Sequence, residues 1–125
     1  MPFFNDAVLD AGLQVFRDAV TPVLYACSQE PGTYAEASAT YKLGTKTAPV
    51  IGAQADATGG GRKVEIATFT DGTIEASGDA THWAYVDAND SRLLATVAIP
   101  ASQALTAGNA LQTTSPVVLR IADAA

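Results

Sequence analysis

Across its second half the chain repeats one short pattern: a run of alternating apolar and polar residues, then a cluster of Gly, Asp, Asn, Ser or Pro. Successive side chains of a strand point to opposite faces, so a period of two builds half-buried strands. The spacing predicts strands over 63–68, 73–77, 82–87, 92–99 and 116–122. Val64 and Ile66 share one face of the first, and in the second Ile74 and Ala76 point inward while Glu75 points out. Trp83 and Tyr85 oppose Ala84 and Val86. In 92–99 both faces are apolar, Leu93, Ala95, Val97 and Ile99 against Leu94, Thr96 and Ala98, as expected of a central strand that Pro100 ends. Thr70-Asp71-Gly72-Thr73 reads as a tight hairpin turn, because Asp-Gly readily supplies positive φ. Ala88-Asn89-Asp90-Ser91 reads as a second turn. Short strands punctuated in this way predict a mainly β fold, an antiparallel β-sandwich or barrel.

The first half is different. Val8, Leu9, Leu13, Phe16 and Val20 recur at helical spacing, with Asn5 or Asp6 as N-cap and Asp6 and Asp10 favoured by the helix dipole. Thr21-Pro22 stops this helix, since the residue before proline is pushed out of the α region. Residues 23–28 read as a short apolar strand. The Ala-rich stretch 34–41 fits either a helical turn or an extended strap, and 42–62 reads as loops with one short strand near Val50 and Ile51. The 125 residues make one domain, with an N-terminal arm and helix over 1–21 and a β domain over 22–125.

Apolar residues make up 48% and charged residues only 16%, so disorder is not expected and part of the surface is expected to be covered by a partner. The net charge is −6, and the seven Lys and Arg are scattered, which argues against nucleic acid as a partner. No apolar run is long enough to span a bilayer as a helix, and the start MPFFNDAVLDAG is not that of a signal peptide, so neither membrane nor export is expected.

Chemistry-bearing residues are sparse. His82 is the one histidine; a hydrolase would need it as base, with Asp79, Asp87 or Asp90 to orient it, yet no nucleophile-elbow sequence is present. Cys27 could act as a nucleophile only with a lowered pKa and a histidine beside it, and its apolar run, Leu24-Tyr25-Ala26-Cys27, suits a core position better. One Cys and one His do not make a zinc site. Asp87, Asn89 and Asp90 lack the spacing of a calcium loop. Gly59-Gly60-Gly61-Arg62-Lys63 lacks the Lys-Ser/Thr and helix of a phosphate loop. No catalytic residue, metal site or cofactor is therefore expected. Tyr25, Tyr34, Tyr41, Trp83 and Tyr85 fit a glycan-binding face as well as they fit core and interface anchors.

Four features together resemble a known kind of protein: residues 30–41, the triple glycine before a strand, Ala80-Thr81-His82-Trp83-Ala84, and 102–109 before the last strand. Nearly the whole chain resembles small virion structural proteins of tailed bacteriophages, and among them capsid decoration (cement) proteins. The resemblance implies a non-enzymatic protein, made in the bacterial host cytoplasm, that binds the major capsid protein on the outside of the head as a homo-oligomer, a trimer being favoured. Phe3, Phe4, Pro31, Tyr34 and Tyr41 are the expected protein interface, the phenylalanines near a chain end and the others on the 31–41 stretch. A head–tail connector or tail protein and a carbohydrate- or receptor-binding module are the alternatives.

Overall fold

The computed structural model describes residues 13–14, 16–56, 61–113 and 117–121. The fold is mainly β, and among the described residues every strand pairing is antiparallel. The strands are β1 (Pro22–Cys27), β2 (Lys42–Thr47), β3 (Ala55–Asp56), β4 (Arg62–Ile66), β5 (Gly72–Ile74), β6 (Gly78–Asp87), β7 (Arg92–Leu105), β8 (Ala110–Leu111) and β9 (Val117–Ile121). Six form one sheet in the order β7-β6-β1-β2-β5-β8, and three form a second in the order β3-β4-β9.

Both sheets feed one core. Leu24, Ala26, Leu43, Ile74 and Tyr85 of the larger sheet meet Val64, Ile66, Val117 and Leu119 of the smaller, together with Leu13. A second, smaller cluster holds Val23, Tyr25, Cys27, Ala37, Ala84 and Val86. The side chains of β1 alternate between the two clusters, so Val23 through Cys27 are all buried. That explains its continuous apolar run, and Pro22 is tolerated as the first residue of an otherwise central strand.

The faces expected for 63–66, 82–87 and 117–119 hold: Val64, Ile66, Val117 and Leu119 are buried, and Tyr85 and Val86 enter opposite clusters. Other expectations fail for identifiable reasons. Lys42–Thr47 is a strand at the heart of the larger sheet. Only Leu43 and Gly44 of it are buried, while Lys42 and Lys46 pair with Glu75 and Asp71 at 2.7 and 3.0 Å, so no apolar alternation marks it. Near Val50 and Ile51 the described residues form a single bridge, Ile51 to Ile66.

Asp71-Gly72 is not a hairpin turn. Gly72 opens β5, which lies in the larger sheet while β4 lies in the smaller. A Cβ on Gly72 would fall 2.8 Å from Leu111 Cβ and 2.9 Å from its carbonyl oxygen, so glycine is there for close approach. Ala76, expected inward, is exposed just beyond the strand end.

β7 is an edge strand, not a central one, and it runs through Pro100. An edge tolerates proline, and here the β6–β7 ladder lapses between the pairs His82–Ala98 and Ala80–Gln103. The ladder also shifts between Tyr85–Ala95 and Val86–Leu93, leaving Leu94 as an extra residue. This bulge breaks the alternation, so Leu94 and Ala95 both pack on the main core while Leu93 joins the smaller cluster.

Candidate functional site

The segment leaving β1 crosses the outer face of the larger sheet and settles there. Residues 34–41 take the helical option, and Glu36–Thr40 form a single π-helical turn. Its start is secured locally: Thr33 Oγ1 accepts the Glu36 N–H at 3.2 Å, and Glu36 Oε1 accepts the Gly32 N–H at 2.7 Å. This is close to a capping box, and the Thr-x-x-Glu of Thr33-Tyr34-Ala35-Glu36 is a sequence signal for it that strand-centred reading passes over. Its end is closed by the Ser28 N–H donating to the Tyr41 carbonyl at 3.0 Å. Ala37 sinks into the smaller cluster, and Tyr34 and Tyr41 pack on that cluster while staying half-buried.

Of the expected interface residues, Phe3 and Phe4 lie outside the described residues. Pro31 is buried. Tyr34 and Tyr41 keep part of their surface open. Beneath the strap, burial and then the neighbouring Tyr34 push the Tyr25 phenol above its ordinary pKa. Lys42 Nζ stands 5.9 Å from the Tyr25 ring centre and pairs with Glu75, which also accepts the Thr45 hydroxyl proton. Those two hydrogen bonds, Lys42 first, hold the Glu75 carboxyl below the ordinary glutamate range.

The fold does bring Cys27 and His82 together, as directly paired residues of β1 and β6. They still do not form a nucleophilic pair. The Cys27 thiol is wholly buried, lies 3.8 Å from the Ala37 carbonyl as its acceptor, and is pushed up to about 11 by burial. A nucleophilic cysteine needs the opposite shift. The Thr81 hydroxyl gives its one proton to the Ser28 carbonyl at 2.9 Å. It therefore accepts from His82 Nδ1, also at 2.9 Å, and Nε2 faces Glu30 Oε2 at 3.6 Å. The acid beside His82 is thus Glu30, not Asp79, Asp87 or Asp90. Buried Asp87 instead accepts the Thr21 and Asn89 N–H groups, tying the β6–β7 turn to the entry of β1. Asp90 pairs with Arg92 at 3.7 Å. Among the described residues no cluster of three or more His, Cys, Asp or Glu could hold a metal ion.

Trp83 is half-buried and meets Phe69 edge-on at 6.3 Å, and Tyr85 is buried. Tyr85 donates its hydroxyl to the Phe16 carbonyl at 2.6 Å and meets the Phe16 ring edge-on at 5.8 Å. It thereby satisfies a carbonyl at the end of the helical residues Phe16 and Arg17.

Sequence reasoning missed a second surface. Gln14, Phe16, Arg17, Pro22, Pro49, Ile51 and Tyr85 line a cleft of about 220 Å³. Val20 and Val50, each within two residues of a lining proline, are 72% and 67% exposed. Exposure of this kind is a tertiary property, and Val20 counted as one more member of the helix's apolar face in the sequence. No family model, curated protein or solved structure matches the chain.

Proposed function

We propose that the chain is a non-enzymatic virion protein that decorates and reinforces an icosahedral phage head by protein–protein contacts with the major capsid protein. The observation that carries this reading is the strap. It is capped, closed onto its own sheet and anchored through Ala37, yet it keeps Tyr34 and Tyr41 half-open. Tyrosines on a rigid support bind a protein surface at low entropic cost, because little side-chain freedom is left to lose. The 16% charge content and the exposed valines support the same reading, since a surface destined for burial is poor in charge. A cement protein stabilises a shell by binding only the assembled lattice, a linkage that needs no active site. In its finer architecture this reading takes the two sheets as a sandwich, with Leu13, Gln14, Phe16 and Arg17 belonging to the N-terminal helix expected within 1–21.

Quantitative peptide mass spectrometry on particles purified from the source tests it. A copy number near that of the major capsid protein, or one trimer per local threefold position, is the expected result. About a dozen copies or fewer per particle moves the chain to the neck or tail, a ring-sized complement. Absence from the particle sinks the virion reading.

A further inference from the structure

We propose that the outer edge of β7 pairs with the same edge of a second copy of this chain, joining the two larger sheets across a two-fold axis. The inference stands on that edge alone and does not depend on the virion reading.

The edge strands of the described sheets are unlike one another. β8 and β3 have two residues each, and Asp56 of β3 is ion-paired with Arg62 at 2.7 Å. Shortness and charge are the usual protection against edge-to-edge pairing. β7 has neither. It runs for 14 residues, and its one charged residue is Arg92 at the start. Beyond Arg92, residues 93–119 contain no Asp, Glu, Lys, Arg or His, although the chain holds seven basic and thirteen acidic residues elsewhere. The neutral stretch includes most of β9, the long edge of the smaller sheet, which packs beside β7 and leaves Val118 39% exposed. Among the described residues no strand lies on the outer side of 95–99. The backbone groups turned that way are those that an extended chain satisfies.

Charge decides which chain that is. A foreign partner can answer a net charge of −6 with basic residues of its own, whereas a second copy carries the same −6. Copies therefore meet most readily where charge is absent, and the β7 edge is such a place. An antiparallel ladder also lets a strand pair with itself after a half turn, which gives a closed, isologous contact. The bulge at Leu94 and Pro100 bound the regular stretch 95–99, and its centre is Val97. With Val97 on the axis, Ala95 lies opposite Ile99 of the partner subunit and Thr96 opposite Ala98 of the partner subunit. Opposed residues then share a face: Ala95, Val97 and Ile99 all pack on the main core, so the core side of one sheet continues into the next. The other face offers only Thr96 and exposed Ala98, too small to obstruct the approach. Such pairing closes as a dimer rather than the trimer that the resemblance implies, so this contact and the copy number on particles are tested separately.

Sedimentation of the full-length chain up to about 1 mM, the weak range suited to a small contact, provides the first test. The expected result is a reversible monomer–dimer equilibrium, with slower hydrogen exchange over 92–99 as the dimer fills. Ala98→Lys sets like charges on diagonal neighbours about 7–8 Å apart and is expected to weaken the dimer about tenfold at low salt; Ala98→Glu does the same. Mixing the two variants restores dimers, because the diagonal pair then carries opposite charges. Urea unfolding verifies that each variant is folded, and Thr96→Lys with Thr96→Glu replaces the pair where one is not. A chain that stays monomeric overturns the proposal, and exchange over 92–99 that is already slow in the monomer assigns the edge to the chain's own residues. A trimer or open polymer overturns the two-fold contact, as does a dimer that Ala98→Lys leaves intact or that the mixture fails to restore.

Discussion

Gly72 separates two accounts of the middle of the chain, because a turn glycine and a buried strand glycine respond differently to asparagine. In an Asp-Gly hairpin turn asparagine tolerates the positive φ, so the substitution costs little. In the structure Gly72 is a buried strand residue. An added Cβ lands 2.8 Å from Leu111 Cβ, 2.9 Å from Leu111 O and 3.1 Å from Phe69 Cε2. Carbon atoms pack at about 3.5–4.0 Å, so the backbone of β8 has to move. Overpacking of this order costs about 1–3 kcal/mol, and the lost flexibility of the unfolded chain returns about 0.5–1. Gly72→Ala is therefore expected to destabilise by about 1–2 kcal/mol, which for a chain this size lowers Tm by about 4–8 °C. Gly72→Asn adds a buried amide with no arranged partner, about 1–3 kcal/mol more, for a total near 3 kcal/mol. Urea denaturation followed by tryptophan fluorescence measures both, Trp83 being the one tryptophan. A Gly72→Asn variant within about 0.5 kcal/mol of wild type, the scale of ordinary surface substitutions, refutes the packing argument and restores the turn.

The remaining predictions probe other supports. Tyr85→Phe leaves the Phe16 carbonyl without its donor and should cost about 1–2 kcal/mol by urea titration, with faster proteolysis near Arg17. Cys27 should be inert to a thiol reagent at pH 8 in the native state and react on unfolding; rapid native labelling would contradict its burial. Because folding raises the Cys27 pKa from 9.0 to about 11, its contribution is present below pH 9 and lost as pH climbs from 9 towards 11. Cys27→Ala should flatten that alkaline limb in denaturation curves, and an unchanged limb would reject the assignment. Glu75 has a lowered pKa, so its contribution is present above the ordinary glutamate range and lost as pH falls through and below it; it is worth under about 1 kcal/mol because the pair is substantially exposed. Glu75→Gln should reduce the acid-side loss, as read from the midpoint of acid unfolding.

What the sequence made legible follows the reach of its signals. Local alternation located β4, the Trp83–Val86 part of β6 and the buried faces of β9, because each has one wet and one dry face or a clean split between two clusters. It did not locate β2. There the dry side is supplied by Leu43 and a glycine whose value is the missing side chain, with Thr73 O 3.0 Å and Leu111 Cδ2 3.1 Å from where a Cβ would sit. Asp71-Gly72 misled for the same reason: glycine is read as conformational freedom, and here it marks close approach of two strands. The order of strands in the sheet, which turned an apolar run into an edge, is likewise fixed by partners far along the chain. Of the candidate site, the pairing of Cys27 with His82 was named as a requirement, yet only register shows it met, and only burial shows that it leads nowhere catalytically.

The two surfaces belong to opposite sides of one sheet, and this bears on how they could work together. The strap rests on the cluster of Val23, Tyr25 and Cys27, whereas Phe16, Ile51 and Tyr85 of the cleft belong with the main core. Residues alternating along β1 thus support different surfaces, Tyr25 the strap and Leu24 the core beside the cleft. Variants at Tyr34 and Tyr41 should then leave the Tyr85–Phe16 hydrogen bond and the packing around it intact. If instead they speeded proteolysis near Arg17, the sheet would be transmitting strain between its faces, and the separation argued from the side-chain alternation of β1 would be wrong.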